Sequence, residues 1–360
     1  MQIMSQNNQE ARKVSRIEAV GLVLVIFSMA MLFINANAVG GLFNAMFNSA
    51  FKVVVPVYVT GSIGCAIIIS VTTGRLLERL GFTDALMRIF VPLMKYIGVN
   101  ASVAIPVIYN ILGDVNAAGR ISAPIFKKAG ATKDEQMIGI ATLMQAPCSF
   151  SILIFGIIAM TEVDVRIFLV LVLTYFLPVI LVPLLLRLTI WRNCHAVSLT
   201  DLPIFTPDTP LLSTIFGAGK EGAELLFTLI IPACAIIYAG IGALDFFGIW
   251  PYFEGALASM LAWMNIEPQS GVVSILAGGS LSMAQLKAIA MNYSPQMVVG
   301  SFVLASSSPL QVIFGQIPVI WTSATDLTHR ECMWAAVVGF VIRLLTAAIF
   351  ASFLGFLYVK

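Results

Sequence analysis

No charged residue occurs between Glu18 and Lys52. An uncharged, apolar run of that length suits a bilayer, whose hydrocarbon takes about 20 apolar residues per helix. Similar gaps recur along the chain, and composition agrees with them. Of 360 residues, 59% are hydrophobic and 11% charged, with a mean hydropathy of +0.96; a soluble domain carries about 25% charge. These figures exclude a soluble enzyme, a nucleic-acid binder and a disordered scaffold. They predict an all-α polytopic membrane protein whose first partner is the lipid bilayer.

Charge-free intervals predict seven spans: Ala19–Asn35, Val53–Thr73, Met137–Met160, Ile167–Leu186, Leu225–Leu244, Met297–Trp321 and Met333–Tyr358. Two further apolar stretches, Tyr96–Gly113 and Pro268–Leu286, are short and rich in Gly, Pro, Ser and Asn. They read as parts of re-entrant hairpins, which membranes tolerate only where the backbone is buried in protein or lines a cavity. The basic residues test this arrangement. With the N-terminal tail cytoplasmic, 15 of the 20 Lys and Arg fall on its side. Lys52, Arg166, Lys287 and Lys360 fall on the other, and Arg343 lies inside the last span. The split requires Tyr96–Gly113 to turn back. The expected location is a bacterial inner membrane, with possible homo-oligomers.

The halves echo each other. A span with Pro56 leads to an amphipathic segment, a hairpin with Gly113, then a span with Pro147 and Ile154-Phe155-Gly156. A span with Pro232 leads to an amphipathic segment, a hairpin with Gly278-Gly279, then a span with Pro309 and Ile313-Phe314-Gly315. The halves enter from opposite sides, which makes an inverted repeat, as in many secondary transporters. The expected organisation is a tail and peripheral helix (1–50), a first repeat (51–160), a connector helix and linker (161–224), a second repeat (225–322) and a C-terminal helix (323–360). The linker stretch Arg192–Thr214, with Pro203, Pro207 and Pro210, carries no further signal.

Polar residues at membrane depth are costly and therefore functional candidates. The first set is Asn110, Gly113, Asp114, Asn116 and Arg120. The second is Gln269, Ser270 and Gly271, after Glu267 and Pro268. The third lies beside prolines that free carbonyls inside helices: Gln145 and Ser149 near Pro147, and Ser306, Ser307, Ser308 and Gln311 around Pro309. Helix capping and close helix packing are the competing explanations. Asp114 is the candidate proton carrier. The five cysteines are dispersed, both histidines sit in charged stretches, and no nucleophile, cofactor or metal motif occurs, so neither an enzyme nor a cofactor is expected.

At these clusters the chain resembles the nucleoside-recognition, or gate, family of membrane proteins, which includes spore maturation proteins A and B and is distantly similar to concentrative nucleoside transporters. Asn110, Gly113, Asn116, Ala117 and Ala118 match the motif N-x-x-G-x-x-N-A-A-T-P, with Gly119-Arg120 replacing Thr-Pro. Pro268, Ser270 and Gly271 match R-P-L-S-G-S-A, with Glu267 replacing Arg and Gln269 replacing Leu. The resemblance covers about Phe51 to Trp321. It implies an A-like half fused to a B-like half and a small polar solute, with nucleosides suggested by the family name. The departures suggest that Arg120 and Glu267 pair across the repeats in one state. The expected function is a secondary transporter working by alternating access, driven by Na⁺ or a proton. The alternative is a non-transporting structural or regulatory protein of envelope biogenesis.

Overall fold

The computed structural model describes residues 15–113, 115–147, 149–197, 204–305 and 310–358. Among them the chain is almost wholly helical, with an isolated extended bridge between Val165 and Tyr358. The first half comprises α1 (Arg16–Val53), α2 (Ser62–Arg79), α3 (Phe82–Tyr96), α4 (Ala104–Leu112), α5 (Val115–Lys128), α6 (Lys133–Leu143) and α7 (Phe150–Thr161). A connector follows as α8 (Ile167–Leu171) and α9 (Leu177–Thr189). The second half comprises α10 (Leu211–Glu224), α11 (Ile231–Phe246), α12 (Trp250–Trp263), α13 (Pro268–Leu276), α14 (Gly279–Ile289), α15 (Pro295–Ala305) and α16 (Ile317–Ala324). The last helix is α17 (His329–Phe353).

Among the described residues, four helical stretches are long and apolar enough to cross a bilayer: Arg16–Val59, Ile167–Thr189, Leu211–Phe246 and His329–Phe353. The first differs from expectation. Helix α1 does not stop at Asn35 but kinks there (φ −153°, ψ 75°), the Asn35 side chain accepting the Ala38 N–H at 3.0 Å. It then runs past residue 50, so the boundary expected there falls inside a helix. An asparagine that supplies its own cap permits a bend without a loop.

Prolines explain the irregular turns. Turns of π-helix cover Val172–Phe176, Leu225–Ile230 and Gln311–Gln316, and each ends two residues before a proline: Pro178, Pro232 and Pro318. Proline lacks the N–H and crowds the carbonyl four residues back, and a wider turn relieves the clash. Pro56 sits within a fourth such turn, Val54–Val59. The stretches Met137–Met160 and Met297–Trp321 are each divided into short helices, α6 and α7 in one and α15 and α16 in the other.

Two layers result. In the outer layer α1 and α2 lie along α11 and α10. Matched positions descend on one arm as they climb on the other. Tyr58 meets Cys234, Gly64 meets Leu226, Ile68 meets Gly222 and Arg75 meets Glu221. The two arms therefore run antiparallel. The inner body has two apolar cores. In one, α5 packs on α16 and Phe126 faces Trp321 with ring centroids 5.8 Å apart. In the other, α14 packs on α7, and Phe302 meets the edge of Tyr175 at 5.7 Å. Each short helix pair, α4–α5 or α13–α14, thus rests on part of the interrupted stretch in the other half of the chain. Contacts α3–α4 and α4–α6 are likewise matched by α12–α13 and α13–α15.

Candidate functional site

A cavity of about 580 Å³ opens where the α4–α5 turn faces the antiparallel arms. One wall carries Tyr109, Gly113, Asn116 and Arg120 from the helix pair, with Ser149 at the cap of α7. The other carries Arg75 from α2 and Glu221, Glu224 and Thr228 from α10 and the turn that follows it. Gly113, Asn116, Arg120 and Ser149 were singled out from sequence, and the fold brings all four to one space.

The arm wall is built around Arg75. Its Nε donates to Glu221 Oε2 at 2.9 Å and its Nη2 to Glu221 Oε1. Its Nη1 donates to Glu78 Oε2 at 2.6 Å and to the Tyr109 hydroxyl at 3.1 Å. One guanidinium thereby joins both arms to α4, and its planar fork suits the two-point contact with Glu221. Sequence reading missed this cluster because its partners lie up to 146 residues apart.

The linker contributes as well. Asp84 on α3 accepts the N–H groups of Phe205 at 2.8 Å and Thr206 at 2.9 Å, and the Thr206 hydroxyl. Arg79 Nε donates to the Thr209 carbonyl at 2.7 Å. The Phe205 ring is thereby held against Tyr109, centroids 5.7 Å apart. Partial burial raises the Asp84 carboxyl, but the Thr206 and Phe205 donors and nearby Arg88 outweigh it and hold the group below its ordinary range. Further back, buried Glu135 accepts the N–H groups of Asn100 and His195, both at 2.8 Å. The described parts of the segment that carried no signal in sequence, 192–197 and 204–214, are thus strapped to the body.

Other candidates have different surroundings. Asn110 is fully buried in α4, and neither amide atom has a partner among the described residues. Gln145 is fully buried, its Nε2 donating to the carbonyls of Ala141 at 3.0 Å and Gly339 at 2.9 Å, while its Oε1 has no partner. Gln269, Ser270 and Gly271 open α13, away from the cavity. There Glu267 caps the helix, accepting from Gln269 N at 3.0 Å and Ser270 N at 2.6 Å. Gly271 lies against Leu261 and Ile266. No ion pair joins Arg120 to Glu267 in this structure, since the glutamate is committed to its cap. Asp114, Ser306, Ser307 and Ser308 lie outside the described residues, as does the side chain of Gln311.

The second helix pair reaches the site indirectly. Its turn is at Gly278 (φ 147°), a conformation that suits glycine. Beside it Gly279 lies so close to the Ala305 carbonyl that a Cβ would overlap it. Ser280 then hydrogen-bonds Ser151 at 2.6 Å, and Ser151 meets Ser149 at 2.8 Å. A chain of hydroxyls therefore connects this turn to the cavity wall.

No family model matches the chain, and no curated protein matches it. Among solved structures, a doubly substituted CNTnw in an outward-facing state is similar. The TM-score is 0.60 at 13% identity, over 95% of this chain and 86% of that one. The chain therefore shares the fold of a concentrative nucleoside transporter.

Proposed function

We propose that the chain is a secondary transporter that carries a small polar solute across a bacterial inner membrane by alternating access. The observation that carries this reading is the cavity itself. Polar groups from a broken helix pair face two antiparallel arms across about 580 Å³, a size suited to a small molecule. In this reading α4–α5 and α13–α14 are re-entrant hairpins. Equivalent arms run antiparallel because the two halves are inverted copies, and seven spans place the N-terminus in the cytoplasm. The solute rests against Gly113, Asn116, Arg120 and Ser149. Asn110 supports the same reading, because a buried amide without partners costs about 1–3 kcal/mol. Solute or coupling ion at the α4–α5 turn would relieve that cost. The shared fold favours transport over a purely structural role in the envelope.

The test is a thermal-shift screen of purified protein against nucleosides, amino acids, polyamines and metal ions, followed by uptake into proteoliposomes. A specific shift that is lost on Asn116→Ala, together with uptake that follows an imposed Na⁺ or proton gradient, supports transport. No shift and no uptake would leave the structural or regulatory role.

A further inference from the structure

The charges around the cavity are not evenly matched. On the arm wall one guanidinium, Arg75, serves two carboxylates, Glu78 and Glu221. A third carboxylate, Glu224, lines the same wall. Its partner Lys220 stands 3.6 Å away, and both side chains are mostly exposed, at 62% and 80%. Exposed pairs of this kind are weak, so Glu224 remains available to a ligand. The arm wall thus carries an excess of negative charge.

Among the described residues the opposite wall carries the reverse sign. Arg120 is exposed on α5, lines the cavity and has no ion-pair partner among the described residues. Asn116, one helical turn earlier on α5, and Ser149 line the cavity with it. Among the described residues, a guanidinium from one side and a carboxylate from the other line one space without pairing with each other. A neutral solute would leave both uncompensated as it displaced their water, and the cost of an uncompensated charge rises as a site dries.

Resting on the reading of this cavity as the solute site, we infer that the solute is a small zwitterion of the amino-acid class. Its carboxylate meets the Arg120 guanidinium, whose planar fork matches a carboxylate in two-point contact. Its ammonium meets Glu224 and the Glu221 side of the arm wall. Asn116, Ser149 and the Tyr109 hydroxyl contact the remainder. Arg120 is then the residue that selects for an acid group, and Glu224 the one that selects for an amine.

The experiment measures binding to the purified full chain by each of the standard amino acids and by uridine. Every amino acid that binds is then compared with its amide, which lacks the carboxylate, and its N-acetyl form, which lacks the ammonium. The free amino acid should bind about tenfold or more tightly than either derivative, as expected for a charge-assisted contact. Arg120→Gln should abolish the preference over the amide but keep the preference over the N-acetyl form, and Arg120→Lys should restore part of it. Glu224→Gln should do the converse. Melting temperatures of the variants separate lost contacts from lost folding, and the Lys variant serves as a second check. Binding of uridine but of no amino acid, or amino-acid binding indifferent to both substitutions, overturns the zwitterion and leaves transport standing. Binding of neither, with no uptake, overturns the transporter reading as well.

Discussion

The two short helix pairs occupy matching places in the chain, yet their polar residues are used differently. In α13–α14 the polar residues at the start of α13 are partnered within the body, although the Ser274 hydroxyl and the Gln285 side-chain carbonyl have no partner among the described residues. The Glu267 carboxylate caps α13, its own N–H donates to the Ser301 hydroxyl at 2.9 Å, and the Ser282 hydroxyl donates to the Ser270 carbonyl at 2.7 Å. In α4–α5 the set borders the cavity. Asn116 and Arg120 line it, and neither amide atom of Asn110 has a partner among the described residues. On the proposed function, two motifs that look equivalent in sequence divide into one pair that serves stability and one that meets the solute. Substitutions in α13–α14 should cost stability first, and those in α4–α5 should cost function first.

Glu267→Ala is the harshest test. It removes a buried carboxylate that accepts two backbone N–H groups, and charged hydrogen bonds of this type contribute about 1.5–3 kcal/mol each. The melting temperature should fall by several degrees, with solute binding by the surviving folded protein little changed. Unaltered stability would mean that the cap is not what holds α13, and the contrast would fail.

Asn110→Leu should act in the opposite sense. It removes two unpaired polar atoms from a fully buried site, so stability should hold or rise by about 1 kcal/mol. Uptake should drop by about tenfold or more if the amide contacts solute or coupling ion. A stability loss as large as that of Glu267→Ala would show that Asn110 is structural, and the two pairs would then be alike. Ser280→Ala is milder. It deletes the 2.6 Å bond to Ser151, worth about 1 kcal/mol. It should loosen the α14–α7 contact, read as faster hydrogen exchange at the start of α7, with a small loss of uptake.

Much of this arrangement was legible in the chain because its cause is local. Proline cannot donate an N–H, so Pro147 marks an interruption of one apolar stretch and Gly113 marks the α4–α5 turn. Glu267-Pro268 marks the start of α13. What was not legible depends on distant partners. Arg75, Glu78 and Glu221 read only as charges outside the spans, because nothing in the order of residues says that one arm runs antiparallel to the other. The repeated Ile-Phe-Gly triplet shows the limit of sequence echoes. Phe155 is buried in α7, whereas Phe314 is exposed on the π turn before Pro318. The strap was invisible for a related reason. Pro203, Pro207 and Pro210 say only that no helix continues, and the anchor, Asp84, lies more than a hundred residues earlier.

That anchor gives the smallest effect and the finest test, because it bears only on α4–α5. Asp84 holds Phe205 against Tyr109, and Tyr109 lines the cavity. The folded chain keeps the Asp84 carboxyl below its ordinary range, which is about 3.9 when unperturbed. A carboxyl depressed by folding adds stability that is full above the unfolded value and disappears as pH falls through the folded one. The strap should therefore stay fastened from neutral pH down to about 4 and loosen only below it. Asp84→Asn keeps an acceptor but loses the charge. It should weaken the strap at neutral pH and remove its acid dependence. Hydrogen exchange at Phe205 and Thr206 reads the fastening directly: slow in the parent at pH 7, faster in the variant, and converging in the two proteins below pH about 4 once intrinsic exchange rates are corrected. Exchange at Gln269 and Ser270, which depend on Glu267 instead, should not respond to Asp84→Asn. A change at both places would mean that the strap braces the whole body, and the independence of α4–α5 from α13–α14 would be lost.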